Sequence, residues 1–134
     1  MRAELSPERI EAGERLLQRL EERGSSVPAA LWSYASDINE WRFYLAIKPG
    51  TLQNAATGAE LVSQAIASLR SEEDFPLTRQ DISPVAADHA VISGLAAAIG
   101  TGPMLSRLRI QGTRVNGALI EDALVYRLYR AGLN

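Results

Sequence analysis

From Arg107 to Arg130 the chain reads RLRIQGTRVNGALIEDALVYRLYR. At its centre stands Asn116-Gly117, the strongest two-residue hairpin signal, because a type I′ turn needs positive φ at both central positions. A turn there sets a register in which Leu108 faces Val125, Ile110 faces Ala123 and Arg114 faces Leu119. Alternate strand residues share a side, so that side is mainly apolar. The other side sets Arg107, Arg109, Gln111 and Thr113 against Tyr126, Leu124, Asp122 and Ile120, and leans towards arginine and tyrosine. A competing reading makes Ile120–Arg130 a helix, since Ile120, Leu124 and Leu128 also fit helical spacing. The Asn-Gly pair and the strand formers Val125, Tyr126 and Tyr129 favour the hairpin.

A second hairpin is expected over Val27–Pro49. Trp41, Phe43, Leu45 and Ile47 alternate with Arg42, Tyr44, Ala46 and Lys48, the period of a half-buried strand. Ala29–Ala35, with Leu31, Trp32 and Tyr34, is less regular. The polar tip Ser36–Glu40 supplies a loop of about five residues, and Pro49-Gly50 stops the second strand.

Helices fill the remainder. Ser6 is a good N-cap, Pro7 suits the first helical position, and Gly24 suits the position just past the end. Ile10, Leu16, Leu17 and Leu20 form one stripe, and Glu11 with Arg15 is a favourable i,i+4 pair. The first helix is expected from about Pro7 to Arg23. Thr57 and Glu60 form a capping box before Leu61, Val62, Ala65, Ile66 and Leu69, for a helix to about Arg70. Ser71–Gln80 reads as an acidic loop. Asp81–Ala86 holds a short strand or a turn, and Pro84 confines a strand there to a sheet edge. Asp88 caps a third helix through Ile99, in which Ala90, Gly94 and Ala98 permit close packing.

The expected fold is α+β: an antiparallel-rich sheet of four or five strands, from two hairpins, packed against about three helices. The order is α-ββ-α-(β)-α-ββ. The length of 134 residues fits a single domain, 1–134. Apolar residues at 46% are enough for a core and place the chain outside the disordered class.

Composition removes several chemistries. Without cysteine there is no disulfide, thiolate metal site or cysteine nucleophile. His89 is the single histidine, which rules out a two-histidine zinc helix. Beside Asp88 at a helix start, His89 reads as an ordinary surface or half-buried residue. Asp37, Glu40, Asp81, Glu121 and Asp122 show no spacing diagnostic of a metal site. No phosphate-binding glycine loop and no GxSxG or SxxK nucleophile motif occurs. The expectation is therefore no metal and no cofactor, and a non-catalytic role is favoured over the rival reading, a small enzyme with His89 or an acidic pair in a cleft. The N-terminal residues carry no apolar secretory segment, and the longest uncharged run, Ala90–Ser106, is broken by glycine and proline. A soluble cytoplasmic protein that avoids membranes is expected.

Five arginines against Glu121 and Asp122 give the segment from Arg107 to Arg130 a local charge of +3, within a chain of −2. The candidate binding residues are Arg107, Arg109, Tyr126 and Arg127, with Arg42 and Tyr44 if the two hairpins share a sheet face. Aromatics and arginines supply much of the binding energy at protein interfaces. A protein partner or a second copy of the chain is thus expected on a sheet face or edge. The alternative is a nucleic-acid-binding or nucleic-acid-processing protein that uses the arginine and tyrosine sheet face for stacking and phosphate contacts, although a pI near 5.4 lacks the usual basic footprint.

Overall fold

The computed structural model describes residues 4–48, 58–85, 95, 105–115 and 118–128. Helix α1 spans Pro7–Glu22. Ser6 Oγ accepts from the Arg9 N–H at 3.2 Å, and Gly24, at φ 95°, closes the other end. There the Gly24 and Ser25 N–H groups donate to Glu21 O and Leu20 O, the paired bonds of a Schellman motif. Glu11 and Arg15 do not pair with each other as expected. Glu11 accepts from Arg107 and Arg15 reaches Glu73, so both serve tertiary contacts. Helix α2, Gly58–Arg70, buries the five residues expected, Leu61, Val62, Ala65, Ile66 and Leu69. Its expected cap, Thr57, lies outside the described residues. Arg19 fastens α1 to α2 by donating to Ser68 and Glu72, which holds the Glu72 carboxyl below the usual carboxylate range.

Strands β1 (Ser26–Ala35), β2 (Glu40–Lys48), β3 (Ile82–Val85), β4 (Leu108–Val115) and β5 (Ala118–Leu128) form one sheet, ordered β3-β2-β1-β5-β4. The terminal segment is a hairpin. Leu108 faces Val125, Ile110 faces Ala123 and Arg114 faces Leu119, the register expected from the sequence; residues 116 and 117 themselves lie outside the described residues. The helical reading of Ile120–Arg130 is thereby excluded as far as Leu128. The sheet is mixed rather than antiparallel throughout, because β3 runs parallel to β2. A parallel neighbour needs a long crossover, and α2 lies within it. Pro84 sits on the outermost strand, where its missing N–H is tolerated.

The irregular apolar pattern of Ala29–Ala35 reflects burial on both faces, since every residue from Val27 to Trp32 is buried. Between Ser26 and Ala29 strand β1 carries one residue more than β2 opposite it. This bulge accommodates Pro28 inside a central strand.

Adjacent residues point to opposite faces and feed two clusters. Trp32, Phe43, Leu45, Leu124 and Tyr126 meet α1, α2 and the loop residues Phe75 and Leu77. Leu31, Ala46, Ile110, Ala123 and Val125 meet Leu95 on the reverse side. The sheet is thus buried on both faces. Two α-helices occur among the described residues, against about three expected. Apart from Leu95, the expected third helix, its small-residue stripe and His89 lie outside them. No helix among the described residues is long and apolar enough to cross a membrane.

Candidate functional site

The terminal arginines are held by carboxylates. Arg107 Nη2 donates to Glu11 at 3.0 Å and to Glu14 at 2.9 Å. Arg109 makes a two-pronged contact, Nε to Asp122 Oδ1 and Nη2 to Oδ2, both at 2.5 Å. Such forked pairs are the strongest of the charged hydrogen bonds. The Asp122 side chain is only 2% exposed whereas that of Arg109 is 46% exposed. The Arg109 guanidinium also lies 5.4 Å from the centre of the Trp41 ring. Arg127 is buried, donating to Glu21 at 2.6 Å and to Val27 O at 3.2 Å.

Tyr126 lies in the core rather than on an open face. Ala30 pairs with Arg127 and Leu31 with Val125, so Tyr126 is the extra residue of a bulge in β5. Its hydroxyl accepts from Trp32 Nε1 at 3.0 Å and donates to Ile10 O in α1. Burial pushes its pKa far above the usual phenol value. Sequence periodicity carries no sign of this bulge. Nor does it mark Gly13, whose bare Cα faces this hydrogen-bonded pair.

Arg42 and Tyr44 belong to the reverse side of the sheet from Phe43. Tyr44 packs half-buried on the second cluster. Arg42 bridges to the β3 end, donating to Ser83 Oγ at 2.8 and 3.2 Å and to Gln80 O at 2.7 Å. The six candidate residues therefore do not form one surface.

Two of the open regions among the described residues bear on binding. One is the outer edge of β4, where Leu108, Arg109, Gln111, Gly112 and Arg114 are exposed. Leu119, opposite Arg114, is 50% exposed, and Leu108 is 38% exposed. At the opposite edge, β3 has four residues, one of them Pro84. The other region is a polar cleft of about 560 Å³ between the β1–β2 turn and the loop before β3, lined by Arg9, Glu40, Trp41, Arg42, Pro76 and Asp81 among others. Asp81 Oδ2 accepts from Thr78, and Oδ1 meets Arg9 at a long 3.4 Å. Glu40 and Asp81 line this cleft together, while Asp122 is committed to Arg109. No group of three acidic or histidine side chains suited to a metal ion occurs among the described residues.

Comparison with known proteins finds no matching family model, no matching curated protein and no matching solved structure.

Proposed function

We propose that the chain is a non-catalytic interaction module that pairs a strand of another protein molecule, in the first instance a second copy, with its β4 edge. One observation carries the reading: β4 is an eight-residue outer strand without proline, flanked by the exposed side chains of Leu108 and Leu119. An outer strand presents backbone donors and acceptors to any incoming strand, and side-chain contacts then select the partner. Gly112, at φ 61°, breaks the ladder opposite Glu121. The stretch Leu108–Gln111 is therefore the continuous docking segment. Nucleic acid draws less support, because Arg107, Arg109 and Arg127 already answer to carboxylates and offer phosphates little free charge.

Light scattering over a concentration series tests the reading. The wild type is expected to associate reversibly. Replacing Leu108 and Leu119 together by lysine should abolish association, since lysine on an edge strand blocks strand addition. Both residues are exposed, so the melting temperature should move by only a few degrees. A chain that stays monomeric to about millimolar concentration, where contacts worth about 4 kcal/mol still register, overturns the second copy as partner. Association unchanged by the lysines overturns the edge itself.

A further inference from the structure

We infer that the cleft beside Glu40–Arg42 binds a small zwitterion of the amino-acid type, its carboxylate on Arg42 and its ammonium on Glu40. Strand β2 starts at Glu40, but β3 pairs with it only from Phe43 onwards. Residues 40–42 thus border a notch where a neighbouring strand would otherwise lie. Arg42 spans it through three hydrogen bonds, and every acceptor, Ser83 Oγ and Gln80 O, is neutral. A guanidinium has five N–H donors, so two remain, as many as a bidentate carboxylate takes. The three bonds also fix the group in advance, which lowers the ordering cost of binding.

Glu40 lies two residues earlier on the same side of β2, about 7 Å along the strand. It is exposed and makes no ion pair with a described residue. Asp81 is already spoken for, by Thr78 and Arg9. The cleft therefore holds two cations and two anions. A simple anion would meet Glu40 and Asp81, and a simple cation would meet Arg9 and Arg42. A molecule bearing both charges matches the alternation. The volume of about 560 Å³ lies within the usual span of small-molecule sites, about 300–1,000 Å³. Pro76 offers an apolar wall for a side chain.

Calorimetric titration of the full chain with a panel of free L-amino acids tests the inference, each run beside its decarboxylated amine, its deaminated acid and inorganic phosphate. At least one amino acid should bind with a Kd in the micromolar to millimolar range, at least about tenfold tighter than its amine and its acid, a gap of about 1.4 kcal/mol. Glu40→Gln, on an exposed side chain, should keep the melting temperature and erase the tenfold advantage of the amino acid over the acid. Arg42→Lys should weaken amino acid and acid alike. Equal or tighter binding of phosphate or of the bare acid overturns the inference. So does an unchanged amino-acid affinity in Glu40→Gln, or no saturable binding of any panel member at about 10 mM, well above a millimolar Kd. The β2–β3 side of the sheet is remote from β4 in strand order, so these outcomes leave the β4 reading untouched.

Discussion

Gly13 shows how a single missing carbon can matter more than helix propensity. A Cβ there would stand 2.7 Å from Tyr126 Oη and 2.9 Å from Trp32 Nε1. Both side chains are fully buried. Phe43 stacks on Trp32 with ring centres 4.9 Å apart and meets Tyr126 edge-on at 5.6 Å, so neither ring has room to retreat. Gly13→Ala gains about 1 kcal/mol of helix propensity. It loses about 1–3 kcal/mol to overpacking and a further 1–3 kcal/mol, roughly, if the buried hydrogen bond breaks. The expected net loss of about 2 kcal/mol should lower the melting temperature by roughly 5–10 °C in a calorimetric scan. A variant as stable as the wild type would show that α1 can lift off the pair. No sequence pattern marks Gly13, because its constraint comes from residues 19 and 113 positions away in the chain.

At the scale of the element, the terminal hairpin was legible because its determinants are local. Asn116-Gly117 predicts the register that the two strands show, and alternation assigns most of the sides. The fates of its arginines were not, because their partners are distant. Arg107 reaches Glu11 and Glu14, and Arg127 reaches Glu21, across about a hundred residues. Strand β2 was read correctly from Trp41 to Ile47, since a regular strand reports its faces by period. Strand β1 is legible as a strand over Ala29–Ala35, but its faces are not, since Val27–Trp32 are buried on both sides and carry no alternation. Arg109 is the informative position for mutation. Truncating it leaves Asp122, 2% exposed, without its guanidinium, while Gln111 Nε2 still donates to it at 3.3 Å. A buried carboxylate that loses its countercharge is costly, but the guanidinium is half in water, which lowers the loss. Arg109→Ala should therefore cost about 1–2 kcal/mol, read from the urea midpoint at unchanged m-value. Arg109→Lys should recover only part, because an ammonium cannot fork onto both oxygens.

For the whole molecule, the buried phenol of Tyr126 links stability to alkaline pH. Its folded pKa lies above the unfolded value of about 10, because burial disfavours the phenolate. Below pH 10 both states keep the proton, and this group makes no difference. Above pH 10 the unfolded chain gives it up while the folded chain holds it. Stability therefore falls with rising pH, by about 1.4 kcal/mol per pH unit for one group. Tyr126→Phe should be less stable at neutral pH by about 1–3 kcal/mol, since Trp32 Nε1 loses its acceptor. The same variant should lose that part of the alkaline slope when denaturation curves from pH 9 to 11, roughly, are compared with the wild type. Equal slopes would place the wild-type hydroxyl in contact with water. The general architecture, α+β with both hairpins in one sheet, follows from patterning that the sequence carries openly. The parallel pairing of β3 does not, because nothing within Ile82–Val85 states which neighbour it will find.

Strand order also governs the sequence of events during synthesis. β5 sits between β1 and β4, yet it is the last of the five to leave the ribosome. Until residues 118–128 emerge, β1 has β2 on one flank and nothing from this sheet on the other. The nascent chain must therefore keep a hydrophobic strand, with Leu31 and Trp32 on it, open on one flank until β5 emerges. Closure across about a hundred residues follows only then, and such distant pairing is slow and prone to intermolecular error. Demand for chaperones should accordingly persist until residues 118–128 have emerged, and a ribosome halted before Ala118 would display the very edge that β5 conceals in the folded sheet.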